Sequence, residues 1–473
     1  MAAHAVASGR AGPCYELRHR MSTWRFLWLA GALLLLACSK ESREGPPSPA
    51  ASARAAARPS ASSVASAAPA PSAGPRPRRP YNVVLIMIEA LRADMPWAGY
   101  SRDAAPWLNA FQAKHCVTYP RAYALASYTA KSVVPLLVGK YASEMPRDGY
   151  FFTKYPDKQN LFVTERLQQA GHRTLGAHAH GYFLPMMQTN QGFDDWRLIP
   201  GGVDLKAVES VTGEKHLALA REILSDPKNV ELGSGKRFFA YFHFMDPHHT
   251  WVKHAGHPDF GNEPRDRYDN EVHYTDALVG QLVDWARTQP WAKDTVFIFS
   301  GDHGEAFGEH GQFRHAYEVW EAVVKVPLMV CVPGVPPRKL EVRRSHIDLA
   351  PTIADLMGVT ADPPFRGTSL VPEVFGETVP PRRIVIDLPR CDLMDRRRAV
   401  IADGYKIIGF GNDTSFKLYH LDRDPEEKED LVEKEPEVFQ RLKRIYEEES
   451  QKIPTVDVIG GVPLKGARPG QRW

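Results

Sequence analysis

The 473-residue sequence predicts an α/β fold: a mostly parallel central sheet with helices on both faces, followed by a small C-terminal α+β subdomain with antiparallel strands. Three observations predict it. Continuous apolar, β-branched runs of strand length recur along the chain, as a sheet covered on both faces requires. Segments with helical spacing of apolar residues lie between them. After about residue 390 that texture gives way to short alternating runs joined by a turn signal.

The first 80 residues stand apart from this pattern. MSTWRFLWLAGALLLLACSK begins at a second Met, Met21, and carries one Arg and an apolar run from Phe26 to Ala37 before Cys38. The run is too short to span a bilayer comfortably, so residues 1–38 read as an export signal, with Met21 as an alternative start. Leu35-Leu36-Ala37-Cys38 resembles the bacterial lipoprotein cleavage box, in which the Cys is lipidated and becomes the new N-terminus. An uncleaved anchor helix is the competing reading. Residues 39–80 are mainly Ala, Ser and Pro with almost nothing to bury, which predicts a disordered tether. The expected location is the bacterial cell envelope (periplasm or outer membrane), with the membrane a partner through the N-terminal lipid.

The main domain is expected over 81–390. NVVLIMI (82–88) is the first doubly buried strand, and RTLGA (173–177), RFFAYFHF (237–244), TVFIFS (295–300), VPLMVCV (326–332) and RIVIDL (383–388) look alike. Between them, NLFVTERLQQAG (160–171) ends at a Gly stop signal, TDALVGQLVDWARTQ (275–289) puts its apolar residues largely on one side, and IDLAPTIADLMG (347–358) again ends in Gly. Residues 391–455 form the expected subdomain: YKIIGF and FKLYHLD alternate around GNDTS, and the charged helix EPEVFQRLKRIYEEES follows. Residues 456–473 are a tail. Hydrophobic residues make up 43% and charged residues 24%, a globular composition. A net charge of +3 and the lack of a basic, aromatic-interleaved stripe exclude nucleic acid as the expected partner. The five Cys (14, 38, 116, 331, 391) form no CxxC pair, so neither a zinc knuckle nor a disulfide framework is expected.

Three apolar strands end in polar, chemistry-bearing residues. NVVLIMI ends in Glu89, FAYFHF in Met245-Asp246-Pro247-His248, and VFIFS in Gly301-Asp302-His303. Ligand sites in open parallel sheets form outside the carboxyl ends of the strands, so these residues are expected on one rim, where two carboxylates and an imidazole make a divalent metal site. Taken singly, an Asp or His after a strand is usually a turn residue. ASYTAKSVVPLLVGKY (126–141) adds a short helix with Thr129 at or near its N-cap and Pro135 inside it; a helix N-terminus offers free N–H groups to an anion. Taken alone, Thr129 is only a cap.

These segments carry a resemblance to the sulfatase family of the alkaline phosphatase superfamily, over roughly residues 81–450. NVVLIMIEALRAD (82–94) resembles the family's opening strand and turn, FFAYFHFMDPHHTW (238–251) its HFMDPHxPY segment, and SGDHGEAFGEHG (300–311) its metal motif. HAYEVWEAVVKVPLMV (315–330), SHIDLAPTIADLMGV (345–359), FRGTSLVP (365–372) and FKLYHLDRDPEEKEDL (416–431) follow in family order. The resemblance implies an alkaline phosphatase-like fold, one divalent ion (calcium, manganese or zinc) and hydrolysis of ester bonds.

The catalytic motif departs from the family. The family nucleophile lies in CxPSRxxLLTG, as Cys or Ser oxidised to formylglycine; counting back from Gly139 places Thr129 there, Lys131 at the Pro and Val133 at the Arg. A Thr cannot yield the aldehyde, because its β-carbon already bears a methyl. The first metal Asp of the family is Glu89 here, followed by Ala90, and the GKWHLG segment is replaced by AHAHG (177–181). The resemblance therefore implies Glu89, Thr129, Asp302 and His303 as metal ligands, Thr129 as nucleophile and Lys131 in place of the missing Arg. It implies His248 and His315 at the ester oxygen and leaving group, and His178, His180 and Asp246 facing substrate. For Lys131 a solvated surface position is the alternative. His243 reads as a buried, satisfied His within a strand, and His310 stays open.

A bound dication lowers a water pKa from about 16 to 7, and an alcohol responds similarly; a helix N-terminus supplies only about 0.3–1 kcal/mol. The metal is therefore the expected activator of Thr129. Formylglycine hydrate sheds sulfate with its second hydroxyl, which Thr129 lacks; a phospho-threonine is hydrolysed by ordinary metal-assisted chemistry. The expected substrate is a small-molecule, glycan or lipid ester of sulfate, phosphate or phosphonate. A non-catalytic tethered member of the family and a phospho-group transferase at the envelope are the alternatives.

Overall fold

The apolar runs fold into the strands β1 (Asn82–Ile88), β2 (Val117–Tyr123), β3 (Arg173–His178), β4 (Asp195–Leu198), β5 (Phe238–Phe244), β6 (Thr295–Gly301) and β7 (Lys325–Cys331). The computed structural model describes residues 79–199, 212–233 and 235–459; the expected export signal, nearly all of the tether and the tail beyond 459 lie outside the described residues. Across the sheet the order is β2-β7-β6-β1-β5-β3-β4, with two short strands, Arg338–Lys339 and Arg344–Ser345, beside β2. β1 pairs in parallel with both β5 and β6, and β3 in parallel with β5 and β4, as expected. β7 runs antiparallel to β6 and to β2. VPLMVCV gave no sign of this, because a strand buried on both faces is equally apolar in either direction.

Helices cover both faces: α1 (Pro106–His115), α2 (Thr129–Val138), α3 (Val163–Gln169), α4 (Gly213–Ser225), α5 (Pro264–Arg287) and α6 (Leu349–Leu356). The two-residue period of β1 divides its side chains between the layers. Val83, Leu85 and Met87 join the core under α2, α3 and α6, and Val84, Ile86 and Ile88 join the core under α1, α4 and α5. α5 is longer than its apolar pattern. Its first half holds buried polar residues such as Asp269, which pairs with Arg102 and Arg265, so no greasy stripe marks it.

The C-terminal strands β8 (Ile384–Leu388), β9 (Arg397–Ala402), β10 (Tyr405–Phe410) and β11 (Ser415–His420) form an antiparallel sheet in that order. α7 (Pro436–Gln451) lays Leu442 and Tyr446 against its Val400, Ile407 and Leu418. RIVIDL, grouped above with the main sheet, is the first strand of this one, so a boundary at 390 cuts through a hydrogen-bonded ladder. The described residues fall within a single compact unit. No helix among the described residues is long and apolar enough to cross a membrane.

Cys116 and Cys331 form a disulfide, contrary to the sequence expectation. They are 215 positions apart, and neither has a local sequence signal; the sheet brings them together where β2 begins beside the end of β7. Closing a loop that long removes up to about 5 kcal/mol of unfolded-state entropy. Cys331→Ala is expected to lower the unfolding free energy by about 2–5 kcal/mol in urea titrations. A loss below about 1 kcal/mol would show that the bond adds nothing the sheet does not already supply.

Candidate active site

The parallel core of the sheet explains why one rim gathers the polar strand ends. Ile88 lies level with Phe244 of β5 and Gly301 of β6, so the residues that follow each strand emerge side by side. Glu89 sits in the middle, its N–H bonded to the Phe244 carbonyl at 2.9 Å. Ala90 takes a left-handed turn (φ 53°) that points its N–H at Asp302 Oδ1, 3.0 Å away.

Glu89, Asp302, His303 and Thr129 are all fully buried and face one another. Thr129 Oγ1 lies 3.1 and 3.2 Å from the Glu89 oxygens and 3.2 Å from His303 Nε2. His303 Nε2 lies 3.2 Å from Glu89 Oε1 and 3.4 Å from Asp302 Oδ2. The expected metal and nucleophile cluster is thus assembled. His303 Nδ1 donates to the Gly304 carbonyl at 2.9 Å, which leaves the Nε2 lone pair for a ligand.

These residues fit a divalent cation. Asp302 Oδ2 is buried without any hydrogen-bond donor. Donors held about 2.1 Å from one tetrahedral ion stand about 3.4 Å apart, which matches the separations around His303 Nε2. The charges agree. Burial would push Glu89 up, yet His303 and His243 hold it well below the usual carboxylate range. Burial and the Glu89 charge push Asp302 up. Burial would lower His303, but the Asp302 and Glu89 carboxylates carry it to about 10. Every group here asks for positive charge at the point the donors surround. Oxygen and imidazole donors together suit zinc or manganese better than calcium.

Thr129 is the first residue of α2, not its cap. Tyr128 occupies the N-cap, and no side chain caps this helix, so the Thr129 hydroxyl is spent on Glu89 and His303. Ser132 Oγ donates to the Asp302 carbonyl at 2.6 Å, pinning the helix to the end of β6. α2 continues through Pro135. Val133 lies in the apolar core, so no cation replaces the family Arg at that position. Lys131 is buried, which rules out a solvated surface position. Its Nζ lies 3.4 Å from the Phe151 carbonyl and over the Tyr128 and Phe151 rings, so its contacts go to an aromatic wall rather than to the carboxylates. Burial lowers it to about 8.

His248 and His315 stand beside the cluster, their rings 5.4 Å apart and His315 4.3 Å from His303. His180 reaches it too, 5.7 Å from His248, and its ring stacks against Tyr182 at 3.8 Å. His178 does not. It is buried between Trp196 and Phe183, and desolvation takes it to about 3. Asp246, expected to meet substrate, instead accepts the Thr212 and Gly213 N–H groups at 2.9 Å and so secures the start of α4. A carboxylate after a strand serves a helix N-terminus as readily as a ligand. His310 stacks on Trp320 at 4.1 Å and belongs to packing.

Two residues escaped sequence reasoning. His243 is buried and satisfied as expected, but what satisfies it is Glu89 Oε2 at 3.0 Å, with Tyr241 Oη on its other nitrogen at 2.7 Å. Its signal was available: it is the inward residue of β5 next to the rim. Glu305 is fully buried and accepts from His315 Nδ1 at 3.2 Å. It was legible only as part of the Gly-rich motif.

Residues 81–359 match the family model described as Sulfatase, and residues 308–453 the model described as N-sulphoglucosamine sulphohydrolase, C-terminal. The chain is 36% identical over 115 residues to choline-sulfatase of Rhizobium meliloti (strain 1021), covering 24% of this chain and 22% of that one. It is 29% identical over 182 residues to arylsulfatase K of Gallus gallus, covering 36% of this chain and 34% of that one. These matches span about a third or less of the relatives' own lengths. Among solved structures, a 2-O GAG sulfatase aligns with TM-score 0.65 at 16% identity, covering 79% of this chain and 92% of its own. The phosphonate monoester hydrolase of Silicibacter pomeroyi aligns with TM-score 0.63 at 18% identity, covering 79% and 96%. At such identities the likeness is one of fold, here an alkaline phosphatase-like sheet with a C-terminal antiparallel sheet.

Proposed function

We propose that this chain, which belongs to the sulfatase family, is a metal-dependent hydrolase of tetrahedral anionic esters that uses Thr129 as its nucleophile and favours phosphorus esters over sulfate esters. One observation carries the reading: the Thr129 hydroxyl, at the start of a helix it does not cap, is buried against Glu89 and His303. Glu89, Asp302, His303 and Thr129 would hold a divalent ion. When bound, it would neutralise the carboxylates and act as a Lewis acid on the ester.

The chain's own residues supply the rest. The Thr129 O–H donates to Glu89, so an acceptor for its proton is in place before attack. As Oγ1 bonds to phosphorus, the ester P–O bond breaks and the alcohol departs, taking up one proton. Water then splits the phospho-threonine, returning the hydroxyl and releasing phosphate. A sulfo-threonine has no second hydroxyl to expel sulfate, which is why a phosphorus ester is the better substrate. His180, His248 and His315 line the side on which the ester oxygens would be held, and Lys131 places a cation under the Tyr128 and Phe151 wall beside it. The three-sided fit of Thr129, Glu89 and His303 supports an enzyme over a non-catalytic member.

We assign it an exported position in the bacterial cell envelope, held by the Cys38 lipid. The Cys116–Cys331 bond supports an oxidising compartment. Small-molecule, glycan or lipid esters remain within reach of this assignment. The test is a panel of p-nitrophenyl sulfate, p-nitrophenyl phosphate, bis(p-nitrophenyl) phosphate and a p-nitrophenyl phosphonate with the purified full chain and added divalent metal. At least one phosphorus ester is expected to exceed the sulfate in kcat/KM by about tenfold or more, a gap of 1.4 kcal/mol in barrier. Sulfate as the best substrate would overturn the preference, and no turnover of any ester would overturn the enzyme.

A further inference from the structure

Three buried carboxylates meet at this centre, and the proteins' usual cations do not reach them. Glu89, Asp302 and Glu305 are each 0% exposed. Among the described residues the partners of their carboxylate oxygens are Thr129, backbone N–H groups and histidines, with no Lys or Arg bonded to any of the three carboxylates. The nearby Arg92 reaches only the backbone carbonyl of Glu305, at 2.5 Å, and spends its charge on Asp94 and Glu309. Burying unpaired charge on this scale costs several kcal/mol per ion. A single dication leaves the centre one negative charge in excess, facing the anionic ester it has to admit.

The histidines show where further positive charge fits. His248 Nδ1 lies 2.7 Å from the His249 carbonyl, which can only accept, so Nδ1 carries the hydrogen. His315 Nδ1 lies 3.2 and 3.3 Å from the two oxygens of Glu305, which sets the same tautomer. Both rings thus keep an Nε2 lone pair, the arrangement of metal-ligating histidines whose other nitrogen is anchored. One donor atom each from Glu89, His248 and His315 lies within 4.8 Å of the others, and the same holds for Glu89, Asp302 and His303. The two triads share only Glu89, whose Oε1 faces His303 and whose Oε2, though beside His243 Nε2, keeps a second lone pair.

We propose that the centre holds a second divalent cation, bound by Glu89, His248 Nε2 and His315 Nε2, with the Glu89 carboxylate shared between it and the ion on Asp302 and His303. The pair of dications turns the excess charge positive and so admits an anionic ester. His248 and His315 then grip the ester oxygens through the ion, not as proton donors, for which their tautomer is wrong. This purpose rests on the ester-hydrolase reading; the site itself does not. The set of two imidazoles and a carboxylate suits zinc.

The test uses the full chain, stripped with a chelator, dialysed against zinc ion alone, and analysed for bound zinc by mass spectrometry, with anomalous diffraction at the zinc edge to locate it. Two zinc ions per chain, both at Glu89, are expected. His248→Ala and His315→Gln should each hold one, and His180→Ala, outside both triads, should still hold two. A single anomalous peak at Glu89 in the wild-type chain would overturn the proposal without needing any variant to fold. So would two peaks there in both variants. Turnover on the ester panel is read separately. One zinc with turnover sinks the second site and spares the hydrolase; two zinc ions without turnover does the reverse.

Discussion

Thr129→Ala is expected to lower turnover of any ester the full chain hydrolyses by about 10³-fold or more, as removal of an attacking hydroxyl does elsewhere. The fold should survive. Tyr128, not Thr129, holds the N-cap of α2, and the substitution removes one buried hydroxyl, whose hydrogen bonds to Glu89 and His303 are worth about 1 kcal/mol each. Thermal unfolding should therefore shift by only a few degrees, which separates loss of chemistry from loss of structure. Thr129→Ser keeps the hydroxyl and is expected to retain turnover within about tenfold. Turnover of the alanine variant at the wild-type rate would remove Thr129 from the reaction.

Removing the metal should cost both activity and stability. Glu89 and Asp302 are fully buried, and without a cation their charges rest, among the described residues, on histidines, the Thr129 hydroxyl and backbone N–H groups. Chelation is expected to abolish turnover and to lower the unfolding free energy by about 4 kcal/mol relative to protein kept at a thousandfold excess of metal over its dissociation constant. Re-addition of zinc or manganese should restore both. Asp302→Asn tests the same point without chelator. Its amide oxygen can still accept the Ala90 and His303 N–H groups, at 3.0 and 2.9 Å in the native protein, so the turn should hold. Bound metal and kcat/KM should nonetheless fall by about 10–100-fold or more. Full activity after exhaustive chelation, with no metal detected, would end the metal-dependent reading.

The centre was legible in the sequence because its two signals coincide. A long apolar run has few ways to end, and in a parallel sheet all such ends share one edge, so Glu89, Asp302 and His303 announced themselves together. Side-chain direction was not legible. Asp246 and His178 occupy the same kind of position as Glu89, Asp302 and His303, but one turns to a helix start and the other into an aromatic core. His243 was passed over for the opposite reason: alternation placed it inside, and inside is where Glu89 is. Strand direction at β7, the sheet allegiance of RIVIDL and the pairing of Cys116 with Cys331 depend on contacts between distant segments, which no local window contains.

The Ser132 hydroxyl that grips the Asp302 carbonyl couples the start of α2, and Thr129 with it, to the sheet rather than to the surface loops. Phe152 and Tyr317, whose rings pack on Phe151, are by contrast exposed to solvent. On the proposed function, choice of alcohol and competence at bond breaking are therefore expected to be separable. Substitutions at Phe152 and Tyr317 are expected to shift the preference among esters while leaving the position of Thr129 on the sheet unaltered.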